Sequence, residues 1–167
     1  MKNIIIITLI TLTFFSCNKD EDQPISEFDK LPPATQTGAQ TFGCLIDGKA
    51  FVPPKFGSNS PNAFYQFVGG AYTLGINAST GGGSGLKSIN IGCLDMPLIT
   101  VANFDLKEFV SGNYFGEYFI GGGINYSGSS TTSMPGILTI TRFDPSNFII
   151  SGTFSFTAKE IYSGEIV

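Results

Sequence analysis

The chain has 167 residues, a formal net charge of −4, 13% charged and 13% aromatic residues, and no histidine. That length fits a single folded domain. The missing histidine excludes Ser-His-Asp and Cys-His nucleophile chemistry and every His-containing metal site. From Phe42 onward eight acids stand against six bases, so no basic patch exists to attract nucleic acid.

The N-terminus reads as a secretory leader, residues 1–16. Lys2 supplies a positive start, and Ile4 to Phe15 is an unbroken apolar and threonine stretch. As a helix it would cover about 18 Å, against a hydrocarbon core of roughly 30 Å, so it is too short to span a bilayer. Ser16 then provides the small residue of a cleavage site, followed at once by Cys17. Phe14-Phe15-Ser16-Cys17 resembles the lipobox of bacterial lipoproteins, with Phe14 in place of the more usual Leu. The resemblance implies cleavage before Cys17 and acylation of its thiol and new amino group. Two or three acyl chains hold a protein on a membrane stably, because each buried methylene contributes about 0.8 kcal/mol. The expected partner is therefore a membrane, reached through lipid, and the expected address is the cell envelope at the outer membrane.

After Cys17 the chain turns polar. Lys19-Asp20-Glu21-Asp22 resembles the surface-export signal of Bacteroidota lipoproteins, which implies display on the outer face. Its plainer reading is a solvated, self-repelling spacer. Residues 17–41 contain Pro24, Pro32 and Pro33 and show no periodicity. They read as a lipidated cysteine and a flexible tether, averaging roughly 27 Å end to end as a coil.

The stretch LPPATQTGAQTFGCLIDGKAFVP, residues 31–53, and IISGTFSFTA, residues 149–158, resemble a family of uncharacterised Bacteroidota lipoproteins, a domain of unknown function. The resemblance runs from the leader to the C-terminus. It implies an exported lipoprotein with one β domain over residues 42–167, and it brings no activity or catalytic residue with it. Other members continue past the position of Val167, which implies a sheet edge left short of a partner here.

Within the domain, period-2 alternation between Gly, Asn and Ser clusters predicts strands. Phe42–Asp47 and Lys49–Pro53 flank Asp47-Gly48, a hairpin signal. Ala63–Val68 and Tyr72–Ala78 are joined across Gly69-Gly70; Tyr72, Leu74, Ile76 and Ala78 share one face. TGGGSG, residues 80–85, leads to Leu86–Leu94, with Ile89, Ile91 and Cys93 alternating with polar or small residues. Leu98–Phe104 follows Pro97, and Asp105–Val110 reads as one helical turn. Tyr114–Ile120 and Ile124–Tyr126 come next. Ile137–Phe143 turns at Asp144-Pro145-Ser146-Asn147, a type I pattern, and returns as Phe148–Ala158, with Phe148, Ile150, Phe154 and Phe156 facing one way. Glu160 begins a last strand. About eight short strands predict an all-β antiparallel sandwich, with a closed calycin-like barrel as the alternative.

The chemistry-bearing groups are few. Cys44 and Cys93 can pair as a disulfide in an exported domain, or sit as buried thiols. TGGGSGLKS fails the phosphate-loop spacing, because Leu86 stands where a Gly should precede Lys87. Asp105, Glu108 and Glu117 are the candidates for a carboxylate-dependent hydrolase, but nothing in their spacing brings two together. No cofactor motif and no metal-ligand pattern occurs. In NYFGEYFIGGGINYS, residues 113–127, Tyr114 and Tyr118 share one face and Phe115 and Phe119 the other. With the Phe inward, Tyr114, Tyr118 and Tyr126 form an exposed row able to stack on a sugar or peptide. That arrangement turns Glu117 inward, which requires a bend or an edge position. The sequence thus points to a non-enzymatic binding module, with carbohydrate or apolar-ligand capture and, more remotely, hydrolysis as alternatives.

Overall fold

The structure is a computed structural model that describes residues 24–121, 126–160 and 166–167. The expected leader and Cys17 lie outside the described residues. The domain is all-β. Its strands are β1 (Cys44–Ile46), β2 (Lys49–Phe51), β3 (Asn62–Val68), β4 (Ala71–Thr80), β5 (Lys87–Met96), β6 (Asn103–Lys107), β7 (Tyr114–Ile120), β8 (Tyr126–Ser129), β9 (Gly136–Asp144), β10 (Ile149–Ser155) and β11 (Lys159–Glu160). β1 and β2 form a hairpin of their own. The main sheet runs β10-β9-β6-β7-β5-β4-β3, with β8 branching from β7 and β11 pairing with β8.

Turn chemistry fixes the hairpins. Asp47 and Gly48 both have positive φ, as do Gly69 and Gly70, which is the backbone that a two-residue hairpin loop of the right twist requires. Asp144 closes the β9–β10 turn by accepting from the Asn147 backbone at 3.1 Å and its side-chain amide at 2.9 Å. Phe148 departs from expectation. It sits in the turn at φ 56° and is 95% exposed, so it packs with none of Ile150, Phe154 and Phe156.

The sheet is not wholly antiparallel. β6 and β7 run parallel over two register pairs, Leu106↔Tyr114 and Lys107↔Phe115. Parallel neighbours ordinarily need a long crossover. Here an overlap of only two residues lets the loop 108–113 bring the chain back. Gly112 at φ 83° and its N–H bond to Leu94 O at 2.9 Å hold that loop. Asp105–Lys107 therefore belong to a strand, not to the expected helical turn, and the strand predicted at Leu98–Phe104 starts only at Asn103.

One edge of β7 serves two strands. β6 takes its first residues, and β8 takes Glu117 to Ile120. Ser130 fills the fork. Its N–H donates to Gly116 O at 2.9 Å, its Oγ accepts from Gly116 N at 3.0 Å, and its hydroxyl donates to Lys107 O. No surface of Ser130 reaches solvent.

The sheet curls around one core. Leu74 and Ala78 of β4, Ile89, Ile91 and Cys93 of β5, Leu106 of β6, and Leu138 and Ile140 of β9 all point into it. Tyr65 of β3 reaches Phe143 of β9 edge-on, ring centroids 4.9 Å apart. Phe51 from the small hairpin is 3% exposed, and Phe42 stacks on Phe154 at 5.3 Å. Among the described residues β3 and β10 do not pair, so the curled sheet is a half-barrel and not a closed calycin-like barrel.

Residues 24–41 of the expected tether are seated on the domain. They form a strap along the domain. Glu27 accepts from the Ala50 backbone at 2.8 Å, Arg142 donates to Gln36 O at 2.6 Å, and Gly38 lies against the Ile149 side chain. Three prolines already restrict this segment, so ordering it costs less chain entropy than its lack of periodicity implies.

Ser130→Ala removes an oxygen that satisfies two buried backbone groups at the fork. Each orphaned group costs about 1–3 kcal/mol, so the variant should unfold at distinctly lower urea concentration than the parent. An unchanged midpoint in a urea titration counts against this account of the fork.

Candidate functional site

The inner face of the half-barrel does not close on itself. Between the curled sheet and the strap lies a cleft of about 1110 Å³. Ligand pockets ordinarily span roughly 300–1,000 Å³, so this one lies just above that range. Ile76, Ile89, Ile91 and Tyr118 form one wall, and Leu138 and Ile140 the other. These are the inward residues of β4, β5, β7 and β9, brought together because each strand presents every second side chain to the same face. Leu31 to Phe42 of the strap cover it, and Phe148 and Ile149 stand at its rim.

The electrostatics of the cleft are simple. Asp47 is the one charged residue among the described residues that line it. Burial pushes the Cys44 thiol up to about 11, so at neutral pH it is a small, uncharged, weakly polar group. Tyr118 is 3% exposed, and burial first, then the negative charges available at Asp47 and Cys44, raise its phenol. Both groups therefore stay neutral, and the walls are mostly hydrocarbon, with Asp47 and several Ser, Thr, Gln and Asn side chains among the lining.

The structure corrects the tyrosine row. Tyr114 is 4% exposed and Tyr118 3%; both belong to the core. Their register partners on β5 are Cys93 and Ile89, which are themselves core residues. Phe115, Glu117 and Phe119 take the outer face instead. The reason is Glu117: inward tyrosines bury two phenols, whereas inward phenylalanines bury a carboxylate. Tyr114 stacks on Phe104 at 4.0 Å, and its hydroxyl lies beside the Cys93 thiol with no hydrogen bond of ordinary geometry among the described residues. Tyr126 lies on β8, pairing with Ile120.

Cys44 and Cys93 are both free thiols. Cys44 is half-buried near the cleft and Cys93 fully buried beside Tyr114, and no disulfide joins them in this structure. The three candidate carboxylates are held by different partners. Asp105 lies 3.9 Å from Lys107, Glu108 accepts from the Thr132 backbone at 2.6 Å, and Glu117 sits beside Asn90. Among the described residues no three of His, Cys, Asp and Glu gather to hold a metal ion. TGGGSG is the β4–β5 connection, with one 3-10 turn at Gly83–Gly85.

The strap residues that roof the cleft escape a sequence reading, since their exposed, aperiodic chain resembles a linker. Leu31-Pro32-Pro33 is the available signal: an apolar residue before two stiff ones. The chain matches no family model, no curated protein and no solved structure.

Glu117 is half-buried, and burial raises its carboxyl above the ordinary 4.5, opposed by the Asn90 amide. The folded state then holds a proton that the unfolded chain has released. Stability therefore falls as pH rises from the unfolded value through the raised folded one. Glu117→Gln should raise the melting temperature at about pH 7.5 and leave it unchanged at about pH 3.5, where both states are protonated. Equal shifts at the two values in thermal denaturation would contradict the burial argument.

Proposed function

We propose that this chain is an envelope lipoprotein, acylated at Cys17, whose β domain is a non-enzymatic binding module for an uncharged apolar ligand. One observation carries the binding half of this reading: a cleft of about 1110 Å³ walled by aliphatic side chains, with Asp47 as the one charge among its described lining residues. Such a surface repays a hydrocarbon at about 25 cal/mol per Å² removed from water. It suits a polyol or an anion less well, because its polar partners, such as Gln40, Thr41, Ser151 and Thr153, come from the strap and β10 and not from the aliphatic walls.

The membrane half rests on the leader, on Ser16-Cys17 and on the acids that follow. The described strap begins at Pro24, seven residue steps after Cys17. Seven residue steps reach at most about 25 Å, so the domain stands close to the lipid surface instead of swinging on a long tether. An outer-membrane address with display on the outer surface fits Lys19-Asp20-Glu21-Asp22. Carbohydrate capture in this cleft is disfavoured by its lining, and hydrolysis by the separate engagement of Asp105, Glu108 and Glu117.

Cys17→Ala should move the protein from the membrane to the soluble fraction and remove fatty-acid mass from the parent's N-terminal peptide. N-phenyl-1-naphthylamine should bind the domain saturably, with fluorescence enhancement. Ile76→Arg and Ile150→Arg each place a charge in the cleft, and should weaken that binding about tenfold or more at a retained melting transition. Probe affinity indifferent to both substitutions would remove the cleft from consideration.

A further inference from the structure

The other face of the same sheet carries a different chemistry. Where β3, β4, β5, β7 and β8 lie side by side, one register row reads Asn62↔Asn77↔Asn90↔Glu117↔Ser129. These residues are cross-strand neighbours, stepped by the strand spacing of about 4.8 Å. Asn77, Asn90 and Glu117 alternate with core residues and so project outward, and Asn62 follows by its register with Asn77. Asn62 and Asn77 are exposed, and Asn90, Glu117 and Ser129 are partly exposed.

This row is expensive for a solvent-facing sheet. Asparagine is depleted in strands, yet three adjacent strands carry it at one register. Glu117 is desolvated, and among the described residues no cation pairs with it. Threonines or a Lys–Glu pair would stabilise the same positions better. A local conflict of this kind, repeated across four strands, marks a surface kept for something other than stability.

Beside the polar row runs a flat one, Phe64↔Gly75↔Gly92↔Phe115. The glycines let rings lie on the backbone. A Cβ at Gly75 would sit 2.2 Å from the Phe64 ring, and one at Gly92 would sit 3.3 Å from the Phe115 ring. Phe64 remains 43% exposed, with an open ring next to the amides. Phe115 is covered by Phe109, edge-on at 4.4 Å. On the far side of the amide row Ser79 and Ser88 share a hydrogen bond of 2.8 Å, and Phe119 bounds the row.

We propose that this outer face binds a neutral glycan, with Asn62, Asn77, Asn90 and Glu117 as its hydrogen-bonding row and Phe64 as its stacking platform. A sugar chain presents hydroxyls that both donate and accept, and ring faces of C–H groups. Amides answer the first, since each side chain both donates and accepts. The open phenylalanine ring answers the second. The strand spacing matches the advance of the ligand by about one sugar unit per strand. No Lys or Arg stands in the row to draw a phosphate. An apolar ligand would strand the amides without water, which costs more than it returns. Asn62, at the sheet edge, also borders the cleft, whereas Asn77, Asn90, Glu117 and Phe64 do not line it.

The test is affinity electrophoresis of the intact protein through native gels containing starch, mixed-linkage β-glucan, xylan or galactomannan, with alginate as an anionic comparison. Retardation in at least one neutral gel, weakened about tenfold by Phe64→Ala and by Asn77→Leu, is the expected result; tenfold corresponds to about 1.4 kcal/mol. Asn77 is exposed, so Asn77→Leu carries the test if Phe64→Ala melts early. Naphthylamine binding in the cleft stays intact in both variants, which separates loss of this face from loss of the fold. No retardation in any neutral gel, retardation by alginate alone, or retention indifferent to Asn77→Leu would overturn the proposal.

Discussion

A lone carboxylate cannot enter an aliphatic core without a partner, and that constraint orients β7. The strand alternates Tyr114, Gly116, Tyr118 and Ile120 with Phe115, Glu117 and Phe119. Either set makes a respectable inner face by hydrophobicity alone. Burying Glu117 would cost more than burying two phenols, so the tyrosines go in. Because β7 sits at the branch of the sheet, with β5 on one side and β6 and β8 on the other, its choice propagates through register. A one-residue slip would turn every neighbouring side chain over. The inner cleft and the outer amide row are both consequences of the direction in which Glu117 points.

The fork at Gly116 gives the sheet its shape. A strand edge normally serves one neighbour. Here it is divided between a parallel and an antiparallel strand, and the junction would leave backbone groups unpaired if Ser130 did not reach them. The bulge in β10 at Ser151/Gly152 and the irregularity in β4 at Tyr72/Leu74 add local twist. Together these features bend the sheet without closing it. The gap that remains is covered by a strap of 3-10 turn and extended chain, held by few side-chain contacts. A cleft roofed this way is enclosed on its apolar walls yet has a cover that is mostly exposed.

The two faces divide the chemistry of the domain. Inside are aliphatic walls, the tyrosines of β3, β4 and β7, and two neutral thiols. Outside are amides, a half-buried carboxyl and a phenylalanine laid flat on glycine. Neither face resembles an acid-base centre, because Asp105, Glu108 and Glu117 each answer to a separate local partner.

Local signals determined a good deal. The hairpins at Asp47-Gly48 and Gly69-Gly70, the turn at Asp144 to Asn147, the all-β class and the inward set of β4 and β5 all follow from residues near one another in the chain. Turn geometry and period-2 alternation are local, so they can be read locally. Tertiary structure decided the rest. Which side of β7 faces in depends on what β5 presents across the register. The parallel β6–β7 pair depends on a fork that only Ser130, fourteen residues beyond Gly116, makes tolerable. The strap depends on contacts with Ala50, Arg142 and Ile149. The amide row exists only because Asn62, Asn77, Asn90 and Glu117, scattered along the chain, fall at one register. Long-range pairing selects among faces that the alternation leaves equivalent, and no short window of residues contains that choice.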